Sequence, residues 1–230
     1  RQHYVNQLIM RKCNDMIKII TGLRRSGKSY LLNTLFVNHL LEQGVSADCI
    51  LQIDLEDAKN KPLRDPMVML QYIEERSNDN RQYYVILDEV QLMSEFEEIL
   101  NTLLKRRKYD VYVTGSNSRF LVTDVITEFR GRGDEIRIYP LSVAELHEAF
   151  PEKSWIDLWR EYSLYGGLPQ VVLMTDEAQK TKYLKQLFRT TYLKDILDRY
   201  RIQQVEEFGQ LIDFVASAIG SLTNPLKLAN

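Results

Sequence analysis

The chain has 230 residues, 44% hydrophobic and 27% charged, with a formal net charge of −2 at pH 7. That is room for one large domain, or one domain and a smaller appendage, and it excludes a polyanion-coating basic surface or an acidic tail. Cys13 and Cys49 lack CxxC spacing, which excludes a disulfide framework and a thiolate metal site and suits a reducing, cytoplasmic compartment.

Taken in chain order, residues 15–21 (DMIKIIT) form a short apolar run with β-branched side chains and read as a buried strand. A helix is expected from Ser29 to Gln43, apolar at Leu31, Leu32, Leu35, Phe36, Leu40 and Leu41, with Gly44 as its stop. Residues 49–55 (CILQIDL) read as a second strand, 56–66 as a polar loop and 67–76 as a helix. Residues 83–87 (YYVIL) are an apolar strand running straight into Asp88 and Glu89. Phe96, Ile99, Leu100, Leu103 and Leu104 keep one helical face. Strands at 111–114 and 135–139 follow. From Leu141 onward helical patterns take over, at 142–150, 155–165, 178–200 and 205–219, broken once by Gly166-Gly167-Leu168-Pro169. Strands alternating with helices imply an α/β fold with a mostly parallel sheet covered on both faces. The expected division is a core over 1–150, a helical lid over 151–204 and the start of a further segment over 205–230. Asn224-Pro225 reads as a helix start with about one turn after it, so the natural protein is expected to continue. No apolar run is long enough to cross a bilayer, and no signal-peptide pattern opens the chain.

Residues 22–29 (GLRRSGKS) match G-x-x-x-x-G-K-[ST] between a strand and a helix. Glycines at 22 and 27 let backbone N–H groups converge on phosphate oxygens at a helix N-terminus. Lys28 supplies a point charge for the β- and γ-phosphates, and the Ser29 hydroxyl is a ligand for Mg²⁺. Arg24, Arg25, Ser26 and Tyr30 are counted with the loop; the two arginines contact nucleotide or point into water. Asp88, at the end of its strand, is the expected Mg²⁺-shell carboxylate, and Glu89 the group that polarises an attacking water. Carboxylates at a strand's C-terminal end lie where open α/β sheets bind ligands. Thr114-Gly115-Ser116-Asn117 ends the next strand; Ser116 and Asn117 are candidates for orienting the water, with Thr114 behind them.

Arg132, between Gly131 and Gly133, is the candidate for an arginine beside the γ-phosphate, with Arg130 second; such a group is worth about 10³–10⁵ in rate. It acts within one chain or across to another, and a solvated Arg/Gly loop is the alternative. The basic run Lys105–Lys108 reads as a solvated helix end, with nucleic-acid contact as the alternative, and Tyr83, Tyr84, Trp155 and Trp159 read as core. The guanine-reading N-K-x-D and the D-x-x-G of GTPases are missing after the acidic strand, so ATP is the nucleotide expected by elimination.

The runs TGLRRSGKS (21–29), VILDEVQ (85–91), VTGSNS (113–118), FRGRG (129–133), YPLSVAEL (139–146) and YGGLP (165–169) come in this order. Together they resemble the prokaryotic AAA-superfamily ATPases of archaea and bacteria, over essentially the whole chain. That resemblance implies a three-layer P-loop core with a C-terminal helical lid, with Asp88 and Glu89 as the Mg-site and catalytic carboxylates and Arg132 as the arginine of a Gly-Arg pair. It also implies ATP and Mg²⁺ as ligands, self-association, and a continuation into a winged-helix segment and a nuclease-like domain through which DNA would be contacted. The rival readings are an ATP-dependent switch or DNA-associated module with negligible turnover, and a P-loop kinase.

Overall fold

The structure, a computed structural model, describes residues 1–115, 129 and 131–219. Strands β1 (Ile17–Gly22), β2 (Ile50–Asp54), β3 (Tyr83–Asp88), β4 (Tyr109–Thr114) and β5 (Gly133–Ile138) form one sheet in the order β2-β3-β4-β1-β5, every neighbouring pair parallel. A parallel pair needs a crossover, and the helices between strands supply it. The helices before and among the strands are α1 (Gln2–Met10), α2 (residues 28–42, with a π-type segment at Leu31–Phe36), α3 (Pro66–Arg76) and α4 (Phe96–Lys105).

The pleat of β3 accounts for the layers. Tyr83, Val85 and Leu87 turn to one face, where they join Met69 and Ile73 of α3 and Ile99, Leu100 and Leu103 of α4. Tyr84 and Ile86 turn to the other face, with Leu31, Leu32, Phe36 and Leu40 of α2 and Val5 and Leu8 of α1. A strand covered on both faces is apolar throughout, which is why YYVIL carries no alternation. The α/β three-layer expectation therefore holds, and α1 is an addition to it. A buried ion pair joins β1 to β4: Lys18 of β1 is fully buried and paired with Asp110 of β4, which also accepts from the Tyr112 hydroxyl at 2.8 Å. Such a charge is tolerated only when paired and hydrogen-bonded.

After β5 come α5 (Val143–Ala149), opened by a Ser142/Glu145 capping box, then α6 (Trp155–Tyr165), α7 (Pro169–Val172) and α8 (Glu177–Leu187). A π-type segment (Phe188–Leu193), α9 (Lys194–Tyr200) and α10 (Val205–Ser217) follow. The chain forms two compact units, Arg1–Leu184 and Lys185–Asn230. That division follows packing, whereas the 150 and 204 boundaries followed composition.

Two readings of side chains change. Trp155 and Trp159 are 54% and 62% exposed, because α6 turns Leu158 inward. Trp159 lies about 100° further round the helix, and Trp155 stacks instead on the His147 ring, centroids 4.3 Å apart. The basic run is partly structural: Arg106 pairs with Glu74 of α3, and the Lys108 ammonium donates to the Ser77 and Asp79 carbonyls. No helix among the described residues is long and apolar enough to cross a membrane.

Candidate functional site

The loop 22–29 leaves the C-terminal end of β1 and enters α2. Gly22 has φ +140°, and a Cβ there would sit 2.2 Å from the Ile138 backbone oxygen of β5. Gly27, at φ +93°, is in the left-handed region that L side chains rarely adopt, with Pro169 and Arg1 at its edge. Arg25 holds a positive φ as well, 64°. The Ser26 side chain is fully buried, and its hydroxyl has no hydrogen-bond partner among the described residues. An orphaned hydroxyl inside a loop of this shape suits a phosphate oxygen.

Lys28 is buried, and its ammonium donates to the loop's own carbonyls, Gly22 O at 3.1 Å and Leu23 O at 3.0 Å. Burial lowers its pKa below the usual lysine value, against the pull of the Glu89 and Asp88 carboxylates. Asp88 ends β3 nearly buried. Its Oδ1 accepts from the Thr114 hydroxyl, its Oδ2 from Asn33 Nδ2 at 3.1 Å, and Ser29 hydrogen-bonds it as well. Burial raises the Asp88 pKa in spite of those donors. The Thr114 hydroxyl does double duty, accepting from the Glu89 backbone N–H at 3.0 Å. Glu89 itself sits in left-handed backbone, φ 55° and ψ 48°, a conformation that costs energy for a non-glycine residue.

β2 and β3 run in register from Ile50↔Tyr84 to Asp54↔Asp88, so Asp54 ends beside Asp88. The Asp54 side chain accepts from the Glu56 N–H at 2.8 Å. Burial, then the charges of Glu89 and Asp54, raise the Glu56 pKa, while Arg24 opposes them. The sheet edge is thus strongly negative beside the loop, with Arg24 as counter-charge. Ser29 and Asp88 are hard oxygen donors already in contact, which fits a Mg²⁺ ion completed by water and phosphate.

The remaining sequence candidates divide clearly. Tyr30 is exposed. Arg25 is exposed, and its guanidinium turns away from the carboxylates to donate to the Tyr183 hydroxyl of α8 at 2.8 Å. Ser116, Asn117 and Arg130 lie outside the described residues. Arg132 precedes β5, whose Gly133 is in register with Ile17, whereas the phosphate loop begins at Gly22, in register with Ile138. Five strand residues at about 3.3 Å each put Arg132 roughly 16 Å from its own loop, at the opposite edge of the sheet. Its guanidinium donates to Asn101 Oδ1 at 3.2 Å. Action on the γ-phosphate of its own chain, one of the two arrangements the sequence left open, does not fit this register.

Three contributors went unread in the sequence or were ranked too low. Thr114 is the residue whose hydroxyl joins the two acidic positions, and its place as the last residue of β4 was the available signal. Asn33 follows Ser29 by one helical turn on the same face of α2, a spacing that could have marked it. Glu56, in a polar loop, carried no signal.

A phosphate-cradling loop, a buried lysine, and a serine–aspartate pair at the carboxyl ends of a parallel sheet define a P-loop nucleotide-binding domain of the ATPase type. The sequence places it more narrowly: residues 14–147 match the model of a family described as AAA domain, and the chain belongs to that family. Residues 156–230 match a second model, described as a domain of unknown function (DUF8612). Among curated proteins, the chain is 35% identical to an uncharacterised protein of Haemophilus influenzae, over all of this chain and 58% of that one. It is 24% identical to MJ1544 of Methanocaldococcus jannaschii, over 94% of this chain and 50% of that one. The chain therefore spans little more than half the length of these relatives. Among solved structures, C. elegans PCH-2 aligns with 69% of this chain and 46% of its own at 14% identity, TM-score 0.46. A DNA replication initiation factor aligns with 94% of this chain and 67% of its own at 16% identity, TM-score 0.44.

Proposed function

We propose that this domain binds ATP with Mg²⁺ in the 22–29 loop and hydrolyses it to ADP and phosphate. The observation that carries the reading is the convergence of Lys28, Ser29, Asp88, Thr114 and Glu89 at the carboxyl ends of β1, β3 and β4. Lys28 exchanges the loop carbonyls for the β- and γ-phosphates, where its charge meets a partner instead of a dry loop. Ser29 and Asp88 hold Mg²⁺, which when bound offsets charge on those phosphates. Glu89 accepts a proton from water as the water oxygen attacks the γ-phosphorus. The bond from that phosphorus to the β–γ bridging oxygen breaks, and the electron pair leaves on ADP. Thr114 keeps the two carboxylates in register, and Ser116 and Asn117 remain candidates for orienting the water.

Arg132 then serves a neighbouring copy, so the arrangement favours self-association for full activity. In this reading residues 1–150 are the ATPase core and 151–204 the lid. Residues 205–230 begin a winged-helix segment leading to a nuclease-like domain, and the setting is cytoplasmic, with DNA contacted through that continuation. A second reading, an ATP-bound switch of negligible turnover, draws on the same remoteness of Arg132, which the β1–β5 register keeps away from the phosphate loop of its own chain. Phosphate release measured across protein concentration, with and without DNA, separates the two. Under the proposal Glu89→Gln binds ATP like the wild type but turns over at least ~10²-fold more slowly. Equal release from both proteins would refute it.

A further inference from the structure

Gln91 stands in the turn directly after Glu89, and the chemistry above leaves it without a task. The turn is a firm base. Val90 and Met93 are buried on either side of it, and the Leu92 and Met93 amides close it on the Glu89 and Val90 carbonyls, each at 3.0 Å. From that base the Gln91 carboxamide reaches back to the Glu89 carboxylate, Nε2 donating to Oε2. A carboxylate only accepts, so the amide has to present its nitrogen there. This orientation is costly: Gln91 Oε1 is buried and has no hydrogen-bond partner among the described residues. A methionine of the same length would fill the space with no orphaned acceptor. The sequence therefore carries an amide where an apolar side chain would suit stability better, and among the described residues its hydrogen bond is with the base.

We propose that Gln91 is the positioning residue of Glu89, its amide fixing the carboxylate in the rotamer from which it takes the proton of the attacking water. Thr114 holds the Glu89 backbone and Gln91 holds the far end of its side chain, so one residue in strained backbone is located at two points. The inference rests on the reading of Glu89 as the base.

The test compares wild type, Gln91→Met and Gln91→Glu in the full chain, at a protein concentration that gives full wild-type turnover. Gln91→Met should keep KM and the affinity for a fluorescent ATP analogue within about two-fold, melt no lower than wild type, and lose about ten-fold or more in kcat, as expected when a reacting group drifts from its alignment. Gln91→Glu, which faces Glu89 with a like charge, should lose at least as much. In a Glu89→Gln background Gln91→Met should change the residual rate no further, because the two act as one unit. A Gln91→Met protein with wild-type kcat overturns the proposal, as does one whose lost activity simply follows a lower melting temperature and weaker ATP binding. A further ten-fold loss in the Glu89→Gln background also overturns it, since Gln91 would then act elsewhere. A wild type that binds ATP but releases no phosphate at any concentration refutes the ATPase reading itself, an outcome distinct from an active wild type indifferent to Gln91.

Discussion

Replacing Thr114 by valine removes one hydroxyl and almost nothing else in volume, yet that hydroxyl is fully buried between two acidic residues. Its loss leaves the Glu89 N–H without its acceptor, at about 1–3 kcal/mol, and takes a donor from the Asp88 carboxylate, a bond of about 1.5–3 kcal/mol. Asn33 and Ser29 still reach Asp88, so the sum falls toward its lower half, about 2–4 kcal/mol. For a chain of 150–250 residues this is roughly 5–15 °C in Tm. Thr114→Ser is the control: it keeps the hydroxyl and removes one methyl, at about 1 kcal/mol. Asp88 has a raised pKa already; with one donor fewer it binds the proton more tightly still, and Mg²⁺ has to compete with that proton. Thermal melts of both variants, with and without Mg-ATP, test the account. Thr114→Val should melt well below Thr114→Ser and show a much smaller Mg-ATP shift. Two variants with equal Tm and equal shifts would refute the bridging role.

Lys28→Ala should fold but lose most of the ATP-induced stabilisation, which at 100 times the dissociation constant is about 2.7 kcal/mol, or roughly 5–10 °C in melting temperature; an undiminished shift would place the nucleotide elsewhere. Asp88 has a folded pKa above its unfolded value, so its contribution to stability is complete below about pH 3.8 and is lost as pH rises through the raised value. Asp88→Asn should therefore flatten the Tm profile just above that pH and melt higher than wild type at pH 7 without nucleotide, while Mg²⁺ affinity of the wild type weakens as pH falls through the same window; parallel wild-type and mutant profiles would contradict this. Mixing Arg132→Ala with Glu89→Gln should restore phosphate release that neither protein has alone, because each lacks a part the other supplies; no recovery, with wild-type activity independent of concentration, would remove Arg132 from a partner's site.

The parts of the molecule legible in the sequence are those where backbone chemistry dictates residue type. The 22–29 loop, the apolar strand entering Asp88 and the strand–helix alternation all lie where composition and position have one physical solution. Side-chain direction was harder. Apolar spacing on α6 marks Trp155 and Trp159 as one stripe but does not say that Leu158 faces inward. Around the end of β4 the sequence offers three small polar candidates, Thr114, Ser116 and Asn117, and only the fold decides that Thr114 turns toward Asp88. α1 escaped notice because just two of its residues, Val5 and Leu8, are buried. Arg132 is legible as a candidate, and its remoteness from its own phosphate loop was legible too: it precedes a strand parallel to β1, so it belongs at the edge away from that loop.

Gly22 opens the nucleotide loop, but what forbids a side chain there is the carbonyl of Ile138 on the adjoining strand. That restriction belongs to the architecture of the sheet and would outlast the chemistry. A descendant that had lost Lys28 and Glu89, and with them any use for ATP, would still need glycine at this position to close β1 against β5. The first glycine thus reports on the fold, and it is the lysine and the glutamate that report on nucleotide use.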